Sequence, residues 1–76
     1  MNNARRDQIA KIKETLEDLR GKIEDLQSEE QEAFDNMPES LQQGDRGQAS
    51  EAAAEALQSA LDSVDEAVGY LETASE

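Results

Sequence analysis

Carboxylates are the side chains of this chain best suited to hold a cation or a basic partner, and they crowd into one stretch. Glu24, Asp25, Glu29, Glu30, Glu32, Asp35, Glu39 and Asp45 follow one another with no basic residue among them until Arg46. Oxygen donors this dense raise the question of calcium, and the spacing answers it. An EF-hand loop needs oxygen ligands at its first, third and fifth positions and Gly at its sixth. Counted from Asp35, the third position is Met37 and the sixth is Ser40. Catalysis is served no better. With no His and no Cys, the usual general base and thiol nucleophile are missing, as are the Glu-x-x-His pairs of helical di-iron sites. The GDRG run at 44–47 is too short for a phosphate loop and follows no strand. The sequence reads as a non-enzyme without metal or cofactor.

Charge narrows the partners. Against 19 Asp and Glu stand 7 Lys and Arg, a formal net charge of −12 on 76 residues. That repels nucleic acid and anionic membranes and favours basic proteins, or serves solubility alone. No apolar run reaches membrane-spanning length, and MNNARRDQIAKIK lacks the apolar middle of a secretory signal. A soluble, cytoplasmic protein is expected. A chain this acidic with only two aromatic residues could remain disordered; hydrophobic periodicity decides against that.

Two stripes carry the periodicity. Ile9, Ile12, Leu16, Leu19, Ile23 and Leu26 are spaced 3, 4, 3, 4, 3, the seam of a coiled-coil helix. The pattern runs on through Glu30, its one charged flaw, to Ala33 and Met37. A second seam comprises Ala54, Leu57, Leu61, Val64, Val68 and Leu71, flanked by Ala53, Ala60, Ala67 and Ala74 at intervals of seven. Ala is a good helix former; four repeats at one spacing also point to a flank where another helix axis can approach closely.

Between the stripes the chain must turn. Pro38 cannot continue a helix and disfavours helical backbone at Met37, so the first helix is expected over about 4–36, the turn over 37–45 and the second helix over about 46–75. Pro38–Leu41 can form a short helical turn that Gly44 ends, and Asp45 with Gln48 matches a capping box. Phe34, Met37 and Leu41 suit a plug at the turn end. At 1.5 Å per residue the helices span roughly 50 and 45 Å. Matched lengths and a short connection imply an all-α antiparallel helical hairpin.

Two helices leave each seam half open to water. A homodimer forming an antiparallel four-helix bundle closes both, and the core seam is assigned to Ile9, Ile12, Leu16, Leu19, Ile23, Leu26, Leu57, Leu61, Val64, Val68 and Leu71. A hairpin completing its core on a different protein is the rival arrangement. The hairpin would set Arg5, Arg6, Lys11 and Lys13 beside the acids of 62–76, where charges partly cancel. The turn end has no such compensation. Glu29, Glu30, Glu32, Asp35 and Glu39 are therefore the candidate partner-binding tip; the alternative is a solvated face that keeps a small bundle soluble.

The segment EEQEAFDNMPESLQ, the acid-Arg-Gly that follows and the Ala-rich acidic helix beyond resemble a group of small proteins encoded in phage and prophage open reading frames. The specific part is Glu32–Gln42. No established activity goes with the group. A phage setting implies the host-cell cytoplasm and favours an accessory inhibitor that covers a basic, nucleic-acid-binding surface of a host protein. An assembly element acting through the apolar seams is the second reading. A nucleic-acid binder using Arg5, Arg6, Lys11 and Lys13 is a weaker third.

Overall fold

The computed structural model describes residues 2–76. It is all-α, with α1 (Asn3–Asp35), a short α2 (Glu39–Gln42) and α3 (Asp45–Ala74) in chain order. α1 and α3 pack against each other along their length in an antiparallel hairpin, and α2 packs on the start of α3. The result is a rod with principal extents of 58 × 15 × 12 Å.

Local chemistry sets the ends. Asn2 caps α1, its side-chain oxygen accepting from the Arg5 N–H at 2.8 Å. Without that acceptor a first-turn amide would be left to solvent alone. α1 stops at Asp35 with Asn36 as C-cap, two residues before the proline. Pro38, at φ −56° and ψ 147°, is the cap preceding α2 rather than its first residue. The N–H groups of Leu41 and Gln42 both donate to its carbonyl, at 2.8 and 3.0 Å.

One expectation about the turn is corrected. The residue capping α3 is Gly44, in extended conformation, and it makes no side-chain cap bond; Asp45 is already the first residue of the helix. There its carboxylate meets the positive end of the helix dipole instead of closing a capping box. Gly47 explains why the chain enters α3 so abruptly. A Cβ built at Gly47 would overlap the Gln42 backbone, so α2 and α3 approach closely only because that position is bare. Gln42 then donates from Nε2 to the Phe34 carbonyl at 3.0 Å, tying α2 back to the end of α1. Phe34 and Met37 are half-buried beneath this turn, while Leu41 remains 41% exposed.

The core is thin. Ala54 and Leu61 are its only buried apolar side chains among the described residues, and Gly47 and Ser50 lie buried beside them. Among the described residues no side chain is completely sealed from water.

Candidate interaction surfaces

Side chains seven residues apart stack on one face of a helix, and that rule resolves the hairpin into two unlike sides. Along α1 the residues turned toward α3 are Ile9, Leu16, Ile23 and Glu30, interleaved with Arg6, Lys13, Arg20, Gln27 and Phe34, and Met37 of the turn continues the row. The expected seam is therefore split. Ile9, Leu16 and Ile23 face α3, whereas Ile12, Leu19 and Leu26 are left 52%, 45% and 53% exposed. On α3 the expected residues Leu57, Val64, Val68 and Leu71 are half-buried, and Leu61 is buried.

The polar residues that displaced half of the α1 seam form a ladder across one side of the rod. Lys13 Nζ meets Glu72 at 3.0 Å. Arg20 grips both carboxylate oxygens of Asp65 through Nε and Nη2, and its Nη1 donates to Glu24 at 2.8 Å. Gln27 Nε2 donates to Gln58 Oε1, also at 2.8 Å. At the open end Arg6 donates to the carbonyls of Ser75 and Glu76, at 3.0 and 3.2 Å. These carbonyls belong to the C-cap of α3 and the residue after it, beside the helix end where a cation is favoured by the dipole. Planar guanidinium geometry makes the Arg20 fork the strongest rung. The Arg20 guanidinium holds the Asp65 carboxyl below its ordinary value, chiefly through their hydrogen bond. The Glu72 carboxylate likewise raises the Lys13 ammonium. The signal for this ladder was present in the sequence: Arg6, Lys13, Arg20 and Gln27 repeat at seven, as do Gln58, Asp65 and Glu72.

The opposite side is apolar. Helix geometry puts Ile12, Leu19 and Leu26 of α1 there, with the half-buried Ala53, Ala60 and Ala67 of α3. A shallow cleft of about 240 Å³ opens among Lys11, Ile12, Thr15 and Leu16.

At the turn end the five acids named above divide. Glu29, Glu32, Asp35 and Glu39 are exposed, and Asp35 accepts only from Gln31, at 3.1 Å. Glu30 instead turns inward. It is half-buried, and the buried Ser50 hydroxyl donates to its Oε1 at 2.7 Å. The flaw in the α1 stripe is thus a satisfied polar contact with α3, and Ser50 and Gly47 are the residues that sequence reasoning missed here. Ser50 falls in the α3 seam by its spacing from Ala54, and that spacing could have found it. A second cleft of about 270 Å³ lies on the polar side near this end, with Phe34, Glu51 and Glu55 in its lining.

No three acids among the described residues cluster closely enough to hold a metal ion. Among the described residues no helix is long and apolar enough to cross a membrane. No family model matches this chain, and neither a curated protein nor a solved structure matches it.

Proposed function

We propose that the protein is a non-enzymatic, acidic interaction module whose turn end docks on a basic surface of another protein. The observation that carries this reading is how charge is partitioned along the rod. Arg6, Lys13 and Arg20 are all engaged within the chain, on Ser75 and Glu76, on Glu72, and on Asp65 with Glu24. Among the described residues Glu29, Glu32 and Glu39 have no ion-pair partner, and Asp35 has only an amide. These carboxylates leave unpaired negative charge at the turn end, where it steers a basic partner into contact. A surface shaped to hold a nucleic-acid backbone is basic in the required sense, so a phage-type inhibitor of a host nucleic-acid-binding protein is the specific form we favour. The resemblance of the turn sequence to small phage and prophage proteins supports it.

Replacing Glu29, Glu32, Asp35 and Glu39 by Lys tests this reading. Captured partners should be lost from the variant, and binding to the parent chain should weaken steeply as salt rises from 50 to about 200 mM. Partner binding that survives charge reversal would rule the electrostatic reading out. Glu30→Gln is the internal control, because that carboxylate faces Ser50 and not the partner.

A second reading has its own observation. The exposed Ile12, Leu19 and Leu26 favour an assembly element that works through the apolar side. Here Leu19→Asp should abolish function while the four tip substitutions leave it intact.

A further inference from the structure

We propose that the apolar side of the hairpin is covered by a second copy of this chain, running antiparallel about a twofold axis at Leu19. This rests on the assembly reading and is independent of the acidic tip.

Three observations choose the occupant. The first is size. A face of 58 by 15 Å presents roughly 870 Å², close to the ~800 Å² that each partner contributes to a stable interface. A rod with two buried apolar side chains has correspondingly little core without it.

The second is self-complementarity, which a twofold interface demands. Ile12 and Leu26 each stand seven residues from Leu19, the midpoint of α1. An antiparallel copy then sets Ile12 on Leu26 of its mate and Leu19 on itself. Contacts within the chain fix the height of that axis on α3. Glu30 meets Ser50, Arg6 meets Ser75, and the longer rungs join Arg20 to Asp65 and Lys13 to Glu72. Leu19 is accordingly level with residues 61–66 of α3. An axis at residue 62 pairs Leu57 with Ala67 of the mate, Val64 with Ala60 and Leu71 with Ala53. Each pairing sets a large side chain against a small one, which gives the alanine repeat at intervals of seven a physical purpose.

The third is charge. The other twofold arrangement, with its axis along the rod, lays α1 on α3 of the mate and brings the two acidic turn ends together. The antiparallel arrangement separates those ends by the length of the rod. It also brings Lys11 of each copy to within two residues, about 3 Å along the axis, of the height of Asp25 of the other. Its one like-charge approach is Asp18 near its own copy, at the solvent edge.

The chain has no cysteine, so a single introduced thiol reads the geometry directly. A disulfide needs Cα atoms within about 7 Å. Leu19→Cys should air-oxidise to a linked pair, most of the protein doubling in mass on a non-reducing gel. Asp62→Cys lies at the same height on the polar side and should stay unlinked. The parent chain should sediment as two copies, and Leu19→Asp as one.

A parent chain that sediments as a folded monomer at about 100 µM, with helical circular dichroism, overturns the second copy. A dimer in which Leu19→Cys stays reduced while the Leu19→Cys, Ala60→Cys double variant cross-links overturns the antiparallel arrangement. Neither failure touches the acidic-end proposal, which rests on charge reversal.

Discussion

Gly47→Ala should unfold the turn end, although the same exchange elsewhere in this chain strengthens it. In a helix interior Ala is favoured over Gly by about 1 kcal/mol. At Gly21 and Gly69 an added Cβ meets nothing within 4 Å, so each substitution should deliver that gain in full. At Gly47 the new methyl would overlap the carbonyl, carbon and Cα of Gln42. These are backbone atoms and cannot swing aside as a side chain does. Relief requires α2 to lift from α3, which breaks the Gln42 bond to the Phe34 carbonyl and uncovers Phe34. Overpacking of this kind typically costs 1–3 kcal/mol, and the lost contacts add to it. After the propensity gain is subtracted, a net loss of about 2 kcal/mol remains. For a chain of this size 1 kcal/mol moves the melting point by about 4–8 °C. Thermal and urea melts at one fixed protein concentration should place Gly47→Ala some 8–16 °C below the parent, with Gly21→Ala and Gly69→Ala above it. A Gly47→Ala chain that melts at or above the parent would refute the close approach of α2 to α3.

Ser50→Ala should cost about 1.5 kcal/mol in urea melts, because a half-buried carboxylate loses its hydroxyl donor. Replacing both partners, Glu30→Leu with Ser50→Ala, should recover that loss and exceed the parent. Leu61→Ala should cost about 2–4 kcal/mol, near the lower part of the range for core leucines because the site borders open solvent. Since Arg20 depresses the Asp65 value, their contact adds stability above the ordinary carboxyl value of 3.8, and the gain disappears as pH falls through the depressed one. In an NMR titration Arg20→Gln should move Asp65 back up toward 3.8. Lys13 behaves oppositely: its raised value means that the Glu72 contact contributes below 10.5 and is lost as pH rises through the folded value. Glu72→Gln should bring the Lys13 titration down.

Pro38 alone placed the turn, and the helix bounds read from periodicity agree with the structure to within one residue. Periodicity measures the spacing of a stripe, however, and says nothing of how far the helix is rotated about its own axis. α1 is turned so that Arg6, Lys13, Arg20 and Gln27 share the inter-helix boundary with Ile9, Leu16 and Ile23. That rotation takes Ile12, Leu19 and Leu26 out of the contact with α3. The polar residues win this position because each finds a partner on α3, and an aliphatic count does not register such pairs. Gly44 displaced Asp45 as the cap, and Gly47 acts through absence of a side chain; neither can be inferred from hydrophobic pattern. Among the acids, Glu29, Glu32, Asp35 and Glu39 lie where charge runs alone would put them. Glu30 required knowing what stood opposite.

The inward pair of Glu30 and Ser50 also decides where the two rods stop sliding. Aliphatic side chains repeating every seven residues would accept α3 displaced by one repeat, since leucine still meets leucine. Such a shift, a little over 10 Å at 1.5 Å per residue, would strand a carboxylate against hydrocarbon and leave a hydroxyl without its acceptor. A polar group at one seam position fixes alignment at some expense of stability. With the Arg20–Asp65 and Lys13–Glu72 rungs on the polar side, this notch of two oxygen atoms holds the hairpin at a single resting position.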